Sequence, residues 1–437
     1  MSGTIEPRVL KGFRDSLPDQ ESSRKRVRAL LEELFSRHGF VPIDTPILEY
    51  TEVLLGKGGG DTDKQVYRFE DHGGRDVAMR FDLTVPFARF MAQHRPELYL
   101  PFRRYHIDKV FRGENTQRGR YREFVQCDFD VVGVDNASAD FEIILLMVRS
   151  LEALSIPAFT VHVSHRGLLR AFLAKLDHSG EEADVLRTLD KLPKVGEETT
   201  KGALAELTDE KSAESLLAFC RSTGSWQETF IALKEHLGPG EPALLRLGEI
   251  YAAAEKVGIE DRLELDPAIT RGLDYYTGVV FETFLDKLPG IGSVCSGGRY
   301  NDLAGLYTKE HLPGVGSSIG LDRLLAALEE LGVSGLEGAA PEILVLCLDE
   351  SLIPHYHALA EVVRSLGLGA EVYPEAKKLP QQYGYADSKG VPYGILCDKE
   401  AAAAGRVHLR IFSERRNVED ITIEEAVTEV ANRTAAE

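Results

Sequence analysis

The sequence predicts an α+β protein: two β-rich stretches separated by a helical one, then a smaller unit in which strands and helices alternate. Three observations lead there. Strand-like patterning dominates the stretch around residues 101–132 and returns at 271. Residues 166–260 are Leu- and Ala-rich, patterned with Glu and Lys, and carry little β signal. Beyond a small-residue, flexible stretch from Gly332 to Pro341 the pattern alternates. At 437 residues the chain is too long for one ordinary core, so domains are expected at 1–335, with an insertion over about 166–260, and at 341–437.

Each element has a local reason. Val27, Leu30, Leu31, Leu34 and Phe35 recur at helical spacing before Gly39, which predicts an amphipathic helix over 19–38. Ile43, Ile47 and Leu48 read as a strand that Pro42 and Pro46 confine to an edge or a bulge. Such a helix and edge strand suit a subunit interface or burial within one subunit. Residues 80–84 (RFDLT) read as a strand with Arg80, Asp82 and Thr84 on one face, a carboxylate and a hydroxyl able to hold an ammonium. A surface strand or a helix start before Val85-Pro86 is the plainer alternative. Residues 138–154 look like a second amphipathic helix, capped by Ser138. In the last unit, strands are expected at 342–348, 370–373, 393–397 and 407–412, with helices at about 351–366 and 378–389.

The chain carries a net charge of −19, yet residues 101–124 (PFRRYHIDKVFRGENTQRGRYREF) hold seven cations against three anions. A positive concentration on that background calls for a local anion, polyphosphate or nucleic acid. The turn-prone centre Gly113–Gly119 predicts a hairpin with Arg112 at the end of one strand and Arg120 and Arg122 beginning the next. Guanidinium forks there can grip phosphate oxygens bidentately; a merely solvated hairpin is the alternative. In the following strand Gln126, Asp128 and Asp130 share one face and Val125, Cys127 and Phe129 the other. An acidic face among strong β-formers fits a polar cavity for an amine-bearing group. Arginines for phosphate beside carboxylates for an amine suggest a site for ATP and an amino acid.

A pI near 5.2 argues against non-specific DNA coating but leaves room for a nucleic acid met on a limited basic surface. The N-terminus has neither a signal core nor a membrane-spanning run, so cytoplasmic residence with no membrane partner is expected. Five cysteines without paired spacing point to reduced core thiols rather than a disulfide framework or structural zinc.

Three glycine-punctuated stretches remain. RGLDYYTG (271–278) puts two tyrosines side by side; on a strand only one could line a pocket unless the backbone turns, which Gly272 and Gly278 permit. SGGRY (296–300) suggests a backbone passing close to a ligand, or an ordinary Gly-Gly turn. GVGSSIGLDRL (314–324) runs from a small-residue strand into a helix that carries Arg323. Small residues would let a planar group lie on the sheet, or would only permit close helix packing.

In order and content these stretches resemble the class II aminoacyl-tRNA synthetases, and among them the histidyl-tRNA synthetases, over nearly the whole length. KGFRD (11–15) with the following helix and the Pro46 strand resembles class II motif 1, FRGENTQRGRYREFVQCDFD (111–130) motif 2, and GVGSSIGLDRLL (314–325) motif 3. RGLDYYTG and SGGRY resemble the stretches peculiar to histidine-specific members. The resemblance implies an antiparallel catalytic sheet flanked by helices, a helical insertion, and a C-terminal α/β anticodon-binding domain. It further implies a homodimer that turns histidine and ATP into histidyl-adenylate, aided by Mg²⁺, and passes the histidyl group to its tRNA.

Roles follow by position in the motifs. Asp82, Thr84 and Gln126 would hold the α-amino group, and Arg112 the carboxylate and α-phosphate. Asp130 and Tyr276 would bond opposite imidazole nitrogens between Tyr275 and Tyr300. Arg271 would be a fixed cation on the α-phosphate, a role other enzymes give to metal, so no metal-ligating residue is assigned. Glu114, Arg120, Phe124 and Arg323 would bind ATP. Asn115-Thr116 departs from the Arg-Pro pair that bacterial members often carry. A catalytically silent paralogue, the regulatory subunit of ATP phosphoribosyltransferase, would typically lack residues 341–437 and have eroded motifs. A synthetase for proline, threonine or glycine would not carry RGLDYYTG.

Overall fold

A computed structural model describes residues 4–56, 65–116, 119–221, 224–269, 275–333 and 340–434. The chain forms two compact units, residues 1–16 with 24–336 and residues 17–23 with 337–437.

The first unit is built on an eight-stranded sheet. In chain order its strands are β1 (Val41–Pro42), β2 (Phe102–Phe111), β3 (Glu123–Val132), β4 (Phe159–His165), β5 (Leu263–Leu265), β6 (Val279–Leu285), β7 (Cys295–Arg299) and β8 (Gly314–Gly320). Their spatial order is β1-β2-β3-β8-β7-β6-β4-β5. The inner pairs are antiparallel and only the two outermost, β1 with β2 and β4 with β5, are parallel. This is the flanked, largely antiparallel α+β sheet expected. Pro42 sits on the edge strand, where its missing N–H costs no ladder bond. Leu48–Tyr50 belongs instead to a separate three-stranded sheet with Arg68–Glu70 and Asp76–Met79.

Period-2 alternation in β3 decides which face of the sheet is core. Val125, Cys127, Phe129 and Val131 are buried in one cluster with Val27, Leu31 and Phe35 of helix α1 (Pro18–Arg37). The Phe35 and Phe129 rings lie 5.0 Å apart, and each such burial contributes roughly 1.5–3 kcal/mol. The opposite face, with Gln126, Asp128 and Asp130, is left for polar work.

Helix α2 (Thr84–His94) follows the small sheet, and α3 (Ala137–Ala153) packs into the main core. α3 is capped by Asn136, not Ser138: the Asn136 side chain accepts from the Ala139 N–H at 2.9 Å, while Ser138 already lies inside the helix. Helices then run from Arg166 to Val257. The strands return at Leu263, earlier than expected, because three-residue β5 is too short to show a period.

The second unit holds a five-stranded sheet ordered Ala370–Val372, Ile343–Val345, Tyr393–Leu396, Val407–Ile411, Arg416–Ile421. Helices Ile353–Ser365, Leu379–Lys389, Lys399–Ala404 and Ile423–Thr434 accompany it, the first and last packing into a core with Ile343, Ile395 and Leu409. All five cysteines are buried and free. Among the described residues no helix is long and apolar enough to cross a membrane.

Candidate active site

The polar face of the main sheet is assembled by register. Asp130 on β3 stands opposite Arg104 on β2 and Gly316 on β8; Gly316 in turn faces Gly298 on β7, and Ser318 faces Ser296. A cavity of about 350 Å³ lies over this face. Asp82, Thr84, Arg112, Glu114, Arg120, Phe124, Gln126, Asp130, Tyr275, Tyr276, Tyr300 and Arg323 all line it. Arg271 lies outside the described residues.

Local structure corrects two expectations. Residues 80–84 are not a strand: β structure stops at Met79 and Thr84 opens α2. Asp82 Oδ1 accepts from the Val85 N–H at 3.1 Å, satisfying one of the orphan donors of the helix start. Arg120 and Arg122 both precede the strand and do not act together. Arg120 lines the cavity, whereas Arg122 donates through Nε to the Glu114 carbonyl at 3.1 Å and ties down the loop. Tyr275 and Tyr276 both reach the cavity because they sit in irregular chain ahead of β6.

One end of the cavity is acidic and dry. Asp82, Asp128 and Asp130 are each at most 2% exposed. Burial lifts Asp82 to about 6, with the Arg112 charge pulling the other way. Asp128 and Asp130 are likewise pushed upward by burial, with Arg104 opposing in both. Tyr300 donates its hydroxyl to Asp130 Oδ1, and Thr84 donates to Asp128 Oδ2 at 3.4 Å. Gln126 donates to Ser318 at 2.8 Å, leaving its buried Oε1 without a donor among the described residues. The Tyr275 ring stands 5.0 Å from Tyr276 and 6.1 Å from Tyr300, both edge-on.

The glycines of the two small-residue stretches make room for these side chains, not only for a ligand. A Cβ on Gly316 would lie 1.9 Å from Asp130 Oδ1, one on Gly314 2.4 Å from the Tyr300 ring, and one on Gly298 2.9 Å from the Tyr276 ring.

The other end is cationic and more open. Arg112 spends Nε on the Phe81 carbonyl at 2.9 Å, and its guanidinium lies 5.2 Å from the centre of the Phe124 ring. Arg323, on helix α4 (Leu321–Leu331), donates to the Ser293 carbonyl. Burial and then the nearby Arg120 and Arg112 lower it to about 10, still cationic at neutral pH.

Several residues here escaped sequence reasoning. Tyr121 and Glu282 line the cavity, and Arg14 stacks 4.0 Å over Tyr121. Asp322 accepts from Arg14 and Arg24 at 2.7 Å each and from the Val125 N–H at 2.8 Å. Arg104 pairs with Asp130. The only signal for Arg104 was hairpin register, which depends on where the turn is centred.

Buried carboxylates at one end and guanidinium groups at the other can take a zwitterionic amino acid and a polyphosphate in adjoining positions. Comparison with known proteins agrees with that chemistry. The family model described as Histidyl-tRNA synthetase matches residues 12–324, and one described as Anticodon binding domain matches residues 342–433. The chain is 48% identical to a histidine–tRNA ligase of Treponema denticola, covering 98% of this chain and 99% of that one. It is 49% identical to a histidine–tRNA ligase of Rhodopirellula baltica, covering 94% and 95%. A crystal structure of histidyl-tRNA synthetase from Nostoc sp. PCC 7120 superposes with a TM-score of 0.88 at 30% identity, over 98% of this chain and all of that one. By fold, by matched motifs and by near full-length identity, the chain belongs to the histidyl-tRNA synthetase family.

Proposed function

We propose that this histidine–tRNA ligase activates L-histidine with ATP in the cavity over β3 and β8, then passes the histidyl group to its tRNA. One observation carries the reading: acidic and cationic ends meet in one cavity, with Arg112 between Asp82 and Phe124. Asp82, Thr84 and Gln126 receive the α-ammonium, since each offers an oxygen acceptor. Asp130 and Tyr276 bond the two ring nitrogens from opposite sides, while Tyr275 and Tyr300 wall the ring. A ring with two polar atoms at fixed spacing is selected by two partners placed across it.

Arg112 draws the substrate carboxylate toward the α-phosphate, and Arg271 holds that phosphate as charge builds. Phe124 offers adenine a ring face; Arg120 and Arg323 hold the triphosphate tail. Adenylation is an in-line displacement, so positioning and electrostatics supply most of the acceleration. Glu114 and Glu282, hard carboxylate donors lining the cavity, suit Mg²⁺, which would neutralise phosphate charge when bound.

Residues 1–335 serve as the catalytic domain and 341–437 as the anticodon-binding domain, the work being done in the cytoplasm, where tRNA is charged. A homodimer is favoured by Ile47, Leu48, Tyr50 and Phe69, apolar yet 38–49% exposed on and beside the three-stranded sheet. Analytical ultracentrifugation is expected to give twice the chain mass.

ATP–pyrophosphate exchange tests the activity. Exchange dependent on histidine alone is expected; exchange with proline, threonine or glycine instead, or with no amino acid, rejects the reading.

A further inference from the structure

Arg104 has no part in the reading above, yet it is among the largest fully buried side chains of the chain. It stands on β2 directly across from Asp130, with Nη2 2.7 Å from Asp130 Oδ2 and 4.0 Å from Asp128 Oδ2. Its guanidinium carbon lies over the ring of Phe87 of α2, 4.2 Å from the ring centre, and Nη2 reaches the Leu83 carbonyl at 3.4 Å. Among the described residues, Nε and Nη1 have no hydrogen-bond acceptor. A buried guanidinium left so incompletely bonded is costly to keep unless its charge is needed.

The need is visible around it. Groups bearing on Asp130 are Asp128 from its own strand, Arg104 from β2, Asp82 from the turn before α2, and Tyr276 and Tyr300 from the segments flanking β6 and β7. β8 contributes only Gly316, which has no side chain to offer. Arg104 therefore serves two dry carboxylates, with Arg112 also acting on Asp128, and it sits closer to Asp130. Two such carboxylates around one guanidinium keep one negative charge cheaply, not two.

We propose that Arg104 is the positioning residue that sets the charge of the imidazole end, and so its specificity. By pairing with Asp130 Oδ2 it pulls that carboxylate toward the ionised form against the opposing effect of burial and fixes it, with acceptor capacity left for one ring N–H. By cancelling the charge it leaves no excess of negative potential to draw in a cationic ring or a lysine or arginine side chain. The site then takes the neutral imidazole. This deepens the reading of Asp130 as the ring acceptor and rests on it.

Without Arg104, Asp128 and Asp130 face each other unneutralised and both take up protons, so Asp130 stops acting as an acceptor until the pH is raised. The test is the histidine KM of Arg104→Met in pyrophosphate exchange, from about pH 6.5, where free imidazole is half neutral, to about pH 8.5. A triazole analogue of histidine, whose ring gains no proton in this range, is run beside it. Expected at about pH 7 is a rise of roughly 10–100-fold in histidine KM, with ATP KM changed less than about twofold. That rise should shrink as pH increases, for both amino acids, while the wild type, in which Arg104 opposes the effect of burial on Asp130, changes less over the same range. Arg104→Lys, which keeps the charge, should recover most of the pH profile.

A pH-independent rise, an equal loss toward ATP, or no change overturns the proposal. If Arg104→Met does not fold, Phe87→Leu decides, since it removes the ring platform and should give a smaller shift of the same sign; a flat profile there also overturns it. Asp130→Asn separates the two levels. An unchanged histidine KM in that variant removes Asp130 as ring acceptor, whereas a raised one beside a flat Arg104→Met profile removes only Arg104.

Discussion

The two ends of the cavity hold similar numbers of charges in opposite settings. At the amino-acid end Asp82, Asp128, Asp130 and Arg104 are almost wholly buried. At the nucleotide end Arg120 is exposed and Arg112 and Arg323 are partly so. Coulomb interactions at about 4 Å are several-fold stronger in a dry site than at a wet surface. In the proposed reading discrimination is therefore concentrated in the acidic end, where one misplaced group cannot be rescued by solvent. Affinity for the triphosphate would then be shared among cations that water and salt partly screen. Substitutions should reflect this: large and ligand-specific at one end, moderate and salt-sensitive at the other.

The largest effects are expected at Arg112 and Arg271, the two arginines proposed to meet the α-phosphate. Arg112→Ala is expected to lower kcat/KM by roughly 10²–10³-fold for both substrates, because the carboxylate and the α-phosphate lose one shared partner. Arg271→Ala should cut kcat by roughly 10²-fold or more with a smaller change in histidine binding. Single-turnover adenylation beside histidine binding checks both. A normal turnover in either variant breaks the idea that the two ends meet at a cation.

Next comes a change at the dry end that adds only a methyl group. Gly316→Ala would place a Cβ 1.9 Å from Asp130 Oδ1, so Asp130 or β8 must move. A loss of about 1–3 kcal/mol in stability is expected from the overpacking. Histidine KM should rise by about 10²-fold, since a misplacement near 1 Å costs that much, while ATP KM changes little. Equal loss for both substrates would erase the contrast between the ends. Thermal unfolding alongside exchange kinetics separates misfolding from misplacement.

What could be read from the sequence follows the same divide. The polar face of β3 was plain from period-2 alternation, because Val125, Cys127 and Phe129 mark the other face without ambiguity. The partner of that face was hidden. The turn expected at residues 113–119 would set Arg104 opposite Asp128, yet the observed register pairs it with Asp130. A shift of two residues in pairing keeps the face and changes the neighbour, so periodicity alone could not name it. The RFDLT stretch failed for a different reason: a polar-apolar alternation of five residues fits a strand or the start of a helix. Asp82 was found by chemistry while its local structure was wrong. In the second unit, strand Arg416–Ile421 was missed because it is mostly polar and exposed at a sheet edge. Glycine roles were read as space for a ligand, when much of that space is taken by Asp130, Tyr276 and Tyr300.

Smaller effects are expected at the open end. Arg323→Ala should raise ATP KM by about tenfold, and Arg120→Ala by only a few-fold, because an exposed cation contributes about 1 kcal/mol or less. Both effects should fade as salt rises from about 0.05 M toward about 0.5 M, where screening shortens to a few ångströms. Exchange rates across that series test it. A salt-independent Arg120 effect would mean the residue acts from a buried position when ATP is bound.

The mildest expectation concerns pH at Asp82. Its carboxyl titrates at about 6 because burial opposes the charge. An α-ammonium requires the ionised form, so binding should release a proton wherever Asp82 is still protonated. Histidine affinity should be unaffected by this group above about pH 7, fall about twofold at about pH 6, and fall about tenfold by about pH 5. Stability runs the other way. A carboxyl raised in the folded state stabilises the folded protein below the unfolded value near 3.9, and that contribution is lost as pH rises through about 6. The thermal shift produced by saturating histidine should therefore grow between about pH 5 and about pH 7. Because the substrate ring titrates in the same window, the triazole analogue is the proper ligand for the measurement. Asp82→Asn removes the titrating group, and an unchanged pH slope in that variant would transfer the proton to Asp128 or Asp130.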